Sequence, residues 1–185
     1  MLVAIIVAGG ALSAQQARPG KIVFNGGNDV GEVWANVGLT ASRLDEDYLP
    51  MVVGVQNHGP VSVRLDRDSF RLIGPDGVRY PMPTLRELRQ HYRRQSLDQR
   101  AASAAGIPWE IWLRNRRLVD ADFFPELATG RRAIVIDDLT LAENHAMIDL
   151  LYFAKPPGLS NGTPFILEVQ ALGWPAPIRL GIVLG

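Results

Sequence analysis

Phe70-Arg71-Leu72-Ile73, Gly74-Pro75-Asp76-Gly77 and Val78-Arg79-Tyr80 follow one another without a break, and this order decides the fold class. Two short β runs flank a four-residue turn in which Pro presets φ and Gly accepts a positive φ. The chain therefore reverses into a hairpin. Working outward, Val61-Ser62-Val63-Arg64-Leu65 alternates apolar and polar residues cleanly. Residues 49–56 (LPMVVGVQ) and 33–39 also carry a period of two, the signature of a strand with one buried face. Further upstream, Lys21-Ile22-Val23-Phe24-Asn25 reads as a strand closed by Gly26-Gly27-Asn28-Asp29. Downstream, residues 133–136, 147–153, 164–171 and 178–184 repeat the signal. Strands this closely spaced, with no helix between each pair, predict a mainly β chain folded as an antiparallel sandwich rather than a parallel sheet.

The middle of the chain departs from that rhythm. Thr84-Leu85-Arg86-Glu87 has capping-box spacing, in which the Thr hydroxyl and the Glu carboxylate each satisfy an orphan amide. Leu85, Leu88 and Tyr92 recur at helical spacing, Ala101, Ala102, Ala104 and Ala105 favour helix, and Gly106 stops it. Pro108 opens a second helix through Trp109, Ile111, Trp112, Leu113 and Leu118, ending before Pro125. A two-helix insert at about residues 84–118 is therefore expected between strands.

Several runs carry a resemblance. Val53-Gly54-Val55-Gln56-Asn57-His58-Gly59, Val63-Arg64-Leu65, Phe70-Arg71-Leu72 and Asp76-Gly77-Val78-Arg79-Tyr80 are similar to the immunoglobulin-like domains of unknown function on many exported bacterial proteins. Leu150-Leu151-Tyr152-Phe153 and Phe165-Ile166-Leu167-Glu168-Val169 resemble their closing strands. The resemblance implies one immunoglobulin-like β-sandwich over residues 21–185, acting by attachment or interaction, with no catalytic residue to carry over. The chain departs from those domains in its helical insert and in lacking the lipid-anchor cysteine many of them have.

Composition narrows the function classes. The 185 residues carry 19 Lys and Arg against 19 Asp and Glu, no cysteine, and 47% hydrophobic residues. That is enough for one packed domain and too apolar for wholesale disorder. Zero net charge argues against a general nucleic-acid binder, which needs excess cations to release counterions. Without cysteine there is no disulfide, thiolate metal site or cysteine nucleophile. Residues 2–12 (LVAIIVAGGAL) are too short to span a bilayer but match the apolar core of a signal peptide, so residues 1–14 are expected to be one. No Lys or Arg precedes that run, as a start placed too late would leave it. A first strand of the core is the alternative, which Gly9-Gly10 disfavours. Export predicts a periplasmic or secreted, bacterial-envelope location.

Motifs for catalysis are weak. Gly158-Leu159-Ser160-Asn161-Gly162 spells a nucleophile elbow, yet prolines flank it on both sides and no histidine follows His145. Gly26-Gly27-Asn28-Asp29-Val30-Gly31 lacks the ending of a phosphate loop. Asp45-Glu46-Asp47, Asp66-Arg67-Asp68, Asp120-Ala121-Asp122 and Asp137-Asp138 read as solvated turn acids, some paired with arginines, with calcium ligation the alternative. Asp137, Asp138, Glu143 and His145 form the set for a rival metal-dependent enzyme. No catalytic residue, metal ligand or cofactor is assigned.

The insert holds the strongest functional signal. Seventeen of the 19 basic residues are arginines, and residues 84–117 hold eight of them against three acids. Arg86, Arg89, Arg93, Arg94, Arg116 and Arg117, with Trp109 and Trp112, are the residue types that dominate binding surfaces: indoles bury area, and guanidinium forks grip carboxylates or phosphates. Two readings stand. Either the tryptophans pack the insert onto the sandwich beneath a solvated arginine face, or the face docks a protein partner or an anionic envelope surface. The function expected is non-catalytic binding, with a self-assembling structural subunit as the alternative.

Overall fold

The computed structural model describes residues 22–104, 116–125 and 134–185. The chain is mainly β. In chain order it forms β1 (Val23–Asn28), β2 (Gly31–Asn36), α1 (Gly38–Ala41), β3 (Tyr48–Asn57), β4 (Val63–Leu65), β5 (Phe70–Ile73) and β6 (Arg79–Pro81). Then come α2 (Leu85–His91), α3 (Gln95–Ala104), β7 (Arg117–Leu118), β8 (Leu139–Leu141), β9 (His145–Ala154), β10 (Pro164–Val169) and β11 (Ile178–Val183). One sheet has the order β1-β2-β3-β9-β7, a second the order β11-β10-β5-β6, and β4 and β8 form a two-stranded sheet, with Arg64 of β4 also bridging Leu172. Every pairing is antiparallel except β7 with β9.

Both larger sheets feed one buried cluster. Val53 and Val55 of β3, Met147 and Leu151 of β9, Phe70 and Leu72 of β5, and Phe165 and Leu167 of β10 all belong to it. That arrangement is compatible with a sandwich. In β10 and β11 burial alternates or nearly so, as expected where one face meets water. In β3 every residue after Tyr48 is buried, because its second face is covered as well. Val52, Leu150 and Tyr152 lie on that second face, the one turned away from the four-stranded sheet.

The expected hairpin is present: β5 pairs with β6 in the register Leu72 to Tyr80, and Gly77 takes φ +75° in the turn. Asn57 ends β3, where its buried Nδ2 donates to Val61 O (2.8 Å) and Leu141 O (3.1 Å), joining the turn to β8. The Gly158–Gly162 motif lies in the loop between β9 and β10, with a strand and no helix after it.

Five expectations are corrected. β1 runs through Gly26-Gly27 instead of stopping there, because Gly26 leaves room for Leu180 Cδ2, 2.8 Å from where a Cβ would sit. The strand expected to reach Leu39 ends at Asn36, and α1 takes its place. Residues 134–136 form only one bridge, Asp122 to Ile136, while β8 follows them unforeseen. The first helix of the insert is two: Tyr92 leaves helical geometry (φ −122°, ψ 120°) as its ring turns inward, and α3 starts at Gln95. Most of the helix expected from Pro108 lies outside the described residues, and its end, Arg117-Leu118, is strand β7.

Candidate functional site

The α2–α3 pair begins with the capping box read from the sequence. Thr84 Oγ1 accepts from Glu87 N–H (3.2 Å) and Glu87 Oε2 accepts from Thr84 N–H (2.7 Å). Leu88 is fully buried beneath α2. Tyr92 sets its ring against Tyr152 of β9 (5.5 Å between centroids) and Tyr48 of β3 (6.3 Å). Its hydroxyl donates to Asp98 of α3, a fully buried carboxylate that also accepts from Arg43 Nε (2.9 Å). Burial works against the Arg43 charge, but the hydrogen bond to Asp98 and its negative charge prevail and raise the Arg43 pKa. Burial and the Asp98 contact likewise push the Tyr92 hydroxyl up. Asp98 thus ties α3 both to the chain after α1 and to the end of α2.

A second fastening lies at residues 122–125. Phe123 packs edge-on against Phe70 in the core (5.5 Å), while Phe124 packs edge-on against Tyr152 on the other side of the sheet (5.2 Å). Gln95 and Gln99 of α3 each donate to Phe124 O (2.8 Å), and Arg89 of α2 donates to Pro125 O (3.2 Å). Arg67, just after β4, donates to Phe123 O and Pro83 O and pairs with Asp137 (2.6 Å). Its guanidinium also lies 4.6 Å from the centre of the Phe124 ring. Below the loop, Asp149 Oδ2 accepts from Phe123 N–H (2.7 Å) and Oδ1 from Leu150 N–H (2.8 Å). Desolvation pushes the Asp149 carboxyl up to about 7, against the pull of those two amides, with Asp122 nearby adding to the rise. Burial raises the Asp122 carboxyl too. With both oxygens occupied, Asp149 serves as a latch for the loop.

The arginines singled out in the sequence divide into two groups. Arg89 is spent on Pro125 O, Arg94 pairs with Glu46 (2.5 Å), and Arg116 Nη2 lies 3.4 Å from Glu32 Oε2. Arg86, Arg93 and Arg117 are exposed, as are Arg100 and Leu97. Trp109 and Trp112 lie outside the described residues. The sequence reading missed Arg43, Arg67 and Asp149. A lone carboxylate inside the apolar run at residues 147–153 was the available signal for the last of these.

The acidic pairs are partly ion-paired. Asp138 meets Arg64 in a two-pronged contact (2.6 and 2.5 Å), and Asp137 meets Arg67. His145 Nδ1 faces the backbone oxygen of Glu143 at 3.0 Å. Among the described residues, no three His, Asp or Glu side chains converge as a metal set, and no helix is long and apolar enough to cross a membrane. Compared with protein-family models, curated proteins and solved structures, the chain has no match, so no identity or activity comes to it from a relative.

Proposed function

We propose that this chain is an exported, non-catalytic interaction module, built as an immunoglobulin-like sandwich, whose α2–α3 insert meets an acidic protein partner. One observation carries the reading. The insert is held firmly by Asp98, Phe124 and Pro125, yet Arg86, Arg93 and Arg100 stay exposed on it beside the exposed Leu97. Anchoring fixes the helices in advance, so a partner would not have to order them on binding. Exposed guanidinium groups with an aliphatic neighbour suit carboxylates flanking an apolar contact.

The test is a pull-down from an envelope extract with residues 15–185 as bait, beside an Arg86→Ala, Arg93→Ala, Arg100→Ala variant. These three leave the fastenings of the insert untouched. A partner captured by the parent and lost from the variant supports the reading. A partner held equally by both removes the insert from consideration.

Self-assembly into a structural subunit is the second reading, favoured by the exposed run Ile134-Val135-Ile136, in which Ile134 is 75% exposed. It predicts a mass on light scattering that rises with concentration and falls back for Ile134→Glu.

A further inference from the structure

The solvent face of the four-stranded sheet carries three arginines that the insert does not involve. Pairing aligns Arg71 of β5, Glu168 of β10 and Arg179 of β11 in one row across the strands. Arg79 of β6 reaches the same carboxylate from the sheet edge, with Nε 3.1 Å from Oε1. Arg179 takes the other oxygen through Nε (2.8 Å) and Nη2 (2.7 Å). Burial opposes ionisation of Glu168, but the hydrogen bonds from Arg79 and Arg179 outweigh it and lower its pKa. The Glu168 side chain is only 6% exposed, while those of Arg79 and Arg179 are 55% and 44% exposed. The guanidinium groups therefore lie over the carboxylate, toward water.

The neighbouring row of the same face holds Ile73, Ile166 and Gly181. Both isoleucines are half-buried, and nothing lies within 4 Å of where a Gly181 Cβ would stand, so the sheet is open above them. Among the described residues, no carboxylate lies within ion-pair distance of Arg71. Three arginines around one glutamate leave a net charge of about +2 on this face at neutral pH. Fold stability does not account for it, since half-exposed ion pairs contribute about 1 kcal/mol or less each and one arginine already balances Glu168. Each guanidinium has about five N–H donors, and Glu168 engages only one or two of them on Arg79 and Arg179.

We propose that this face docks an extended acidic protein segment, with carboxylates against Arg71, Arg79 and Arg179 and an aliphatic side chain on Ile73 and Ile166. Charge complementarity and spacing both favour that occupant. The two rows lie two residues apart along the strands, about 7 Å, which is also the distance between side chains two apart in an extended chain. The surface is separate from the insert, which packs on the far side of the five-stranded sheet through Tyr92 and Tyr152.

The experiment measures fluorescence anisotropy of a fluorescein-labelled peptide in which glutamate and leucine alternate with serine, at low salt and at about 0.15 M. The parent binds, and Arg71→Ala with Arg79→Ala weakens binding by about tenfold or more. Glu168→Gln removes the competing carboxylate and tightens binding several-fold. Arg86→Ala with Arg93→Ala leaves it unchanged. If the double sheet variant fails to fold, Arg71→Ala alone, which keeps both partners of Glu168, still weakens binding. The proposal is overturned if the parent does not bind the peptide, if Glu168→Gln weakens binding, or if only the insert variant loses it. The last outcome would move the acidic site to the insert. Capture by phosphatidylglycerol vesicles without peptide binding would also overturn it, in favour of a lipid surface.

Discussion

The two large sheets each hold a carboxylate on an inner strand, and the two behave in opposite ways. Glu168 on β10 has an arginine on each oxygen, and its pKa falls. Asp149 on β9 accepts, among the described residues, from backbone amides alone, feels Asp122 and Arg67 pulling in opposite directions from farther off, and its pKa climbs to about 7. Desolvation pushes both upward, so burial alone does not set the sign. The partner does: guanidinium groups hydrogen-bonded to the carboxylate compensate for lost hydration, whereas two amide dipoles and the more distant Arg67 do not. The sheet that carries the insert is thereby held by a group whose charge state changes near neutrality, while the open sheet keeps a fixed charge.

The largest expected effect follows from Asp149. Its folded pKa of about 7 lies above its ordinary value of 3.8. Between those values the folded chain keeps a proton that the unfolded chain has lost. Stability therefore falls as pH rises from about 4 to about 7, by about 3 kcal/mol, and levels off above. Urea titrations across that range should show the decline, and Asp149→Asn should flatten it. A parent curve that rises steadily from pH 4 to 7 would break the contrast between the sheets.

Removing Asp98 has an effect of the same size. Asp98→Ala leaves the mostly buried Arg43 without its carboxylate and costs about 3 kcal/mol. Amide exchange should accelerate first in α3, whereas β10 and β11 keep their protection. Smaller is Arg179→Ala, at about 1 kcal/mol, because its side chain is 44% exposed and Arg79 still holds Glu168. That loss belongs to neutral pH and shrinks as acid protonates Glu168, the reverse of the Asp149 trend. The smallest is Arg94→Ala, within about 0.5 kcal/mol, since its pair with Glu46 is 45% exposed on the arginine side. Thermal melts of the two arginine variants side by side give the ordering.

Much of the β framework was legible because alternation and turn chemistry are local. Phe70 to Tyr80 could be read without knowing what Phe70 touches, and so could the Thr84–Glu87 cap. What escaped depended on distant residues. Gly26-Gly27 looks like a stop until Leu180 is placed against it. Tyr92 has helical spacing, yet Tyr152 and Asp98 draw it out of the helix. The arginine count pointed to the insert, but only the fold separates Arg89 and Arg94, which are occupied, from Arg86 and Arg93, which are exposed. Arg71, Arg79 and Arg179 sit far apart in sequence, and pairing alone gathers them on one face with Glu168.

The double fastening of the insert also has a consequence in time. A ribosome delivers Arg43 and Glu46 before α2 and α3, so the Asp98 contact can close as soon as α3 emerges. The carbonyls of Phe124 and Pro125, and the Asp149 latch below them, are synthesised later, the last about 50 residues after Asp98. At about 5–20 residues per second, that interval lasts several seconds. Until Phe124 and Pro125 emerge the helical pair is held at one end only, and until β9 follows them the sheet beneath it is incomplete.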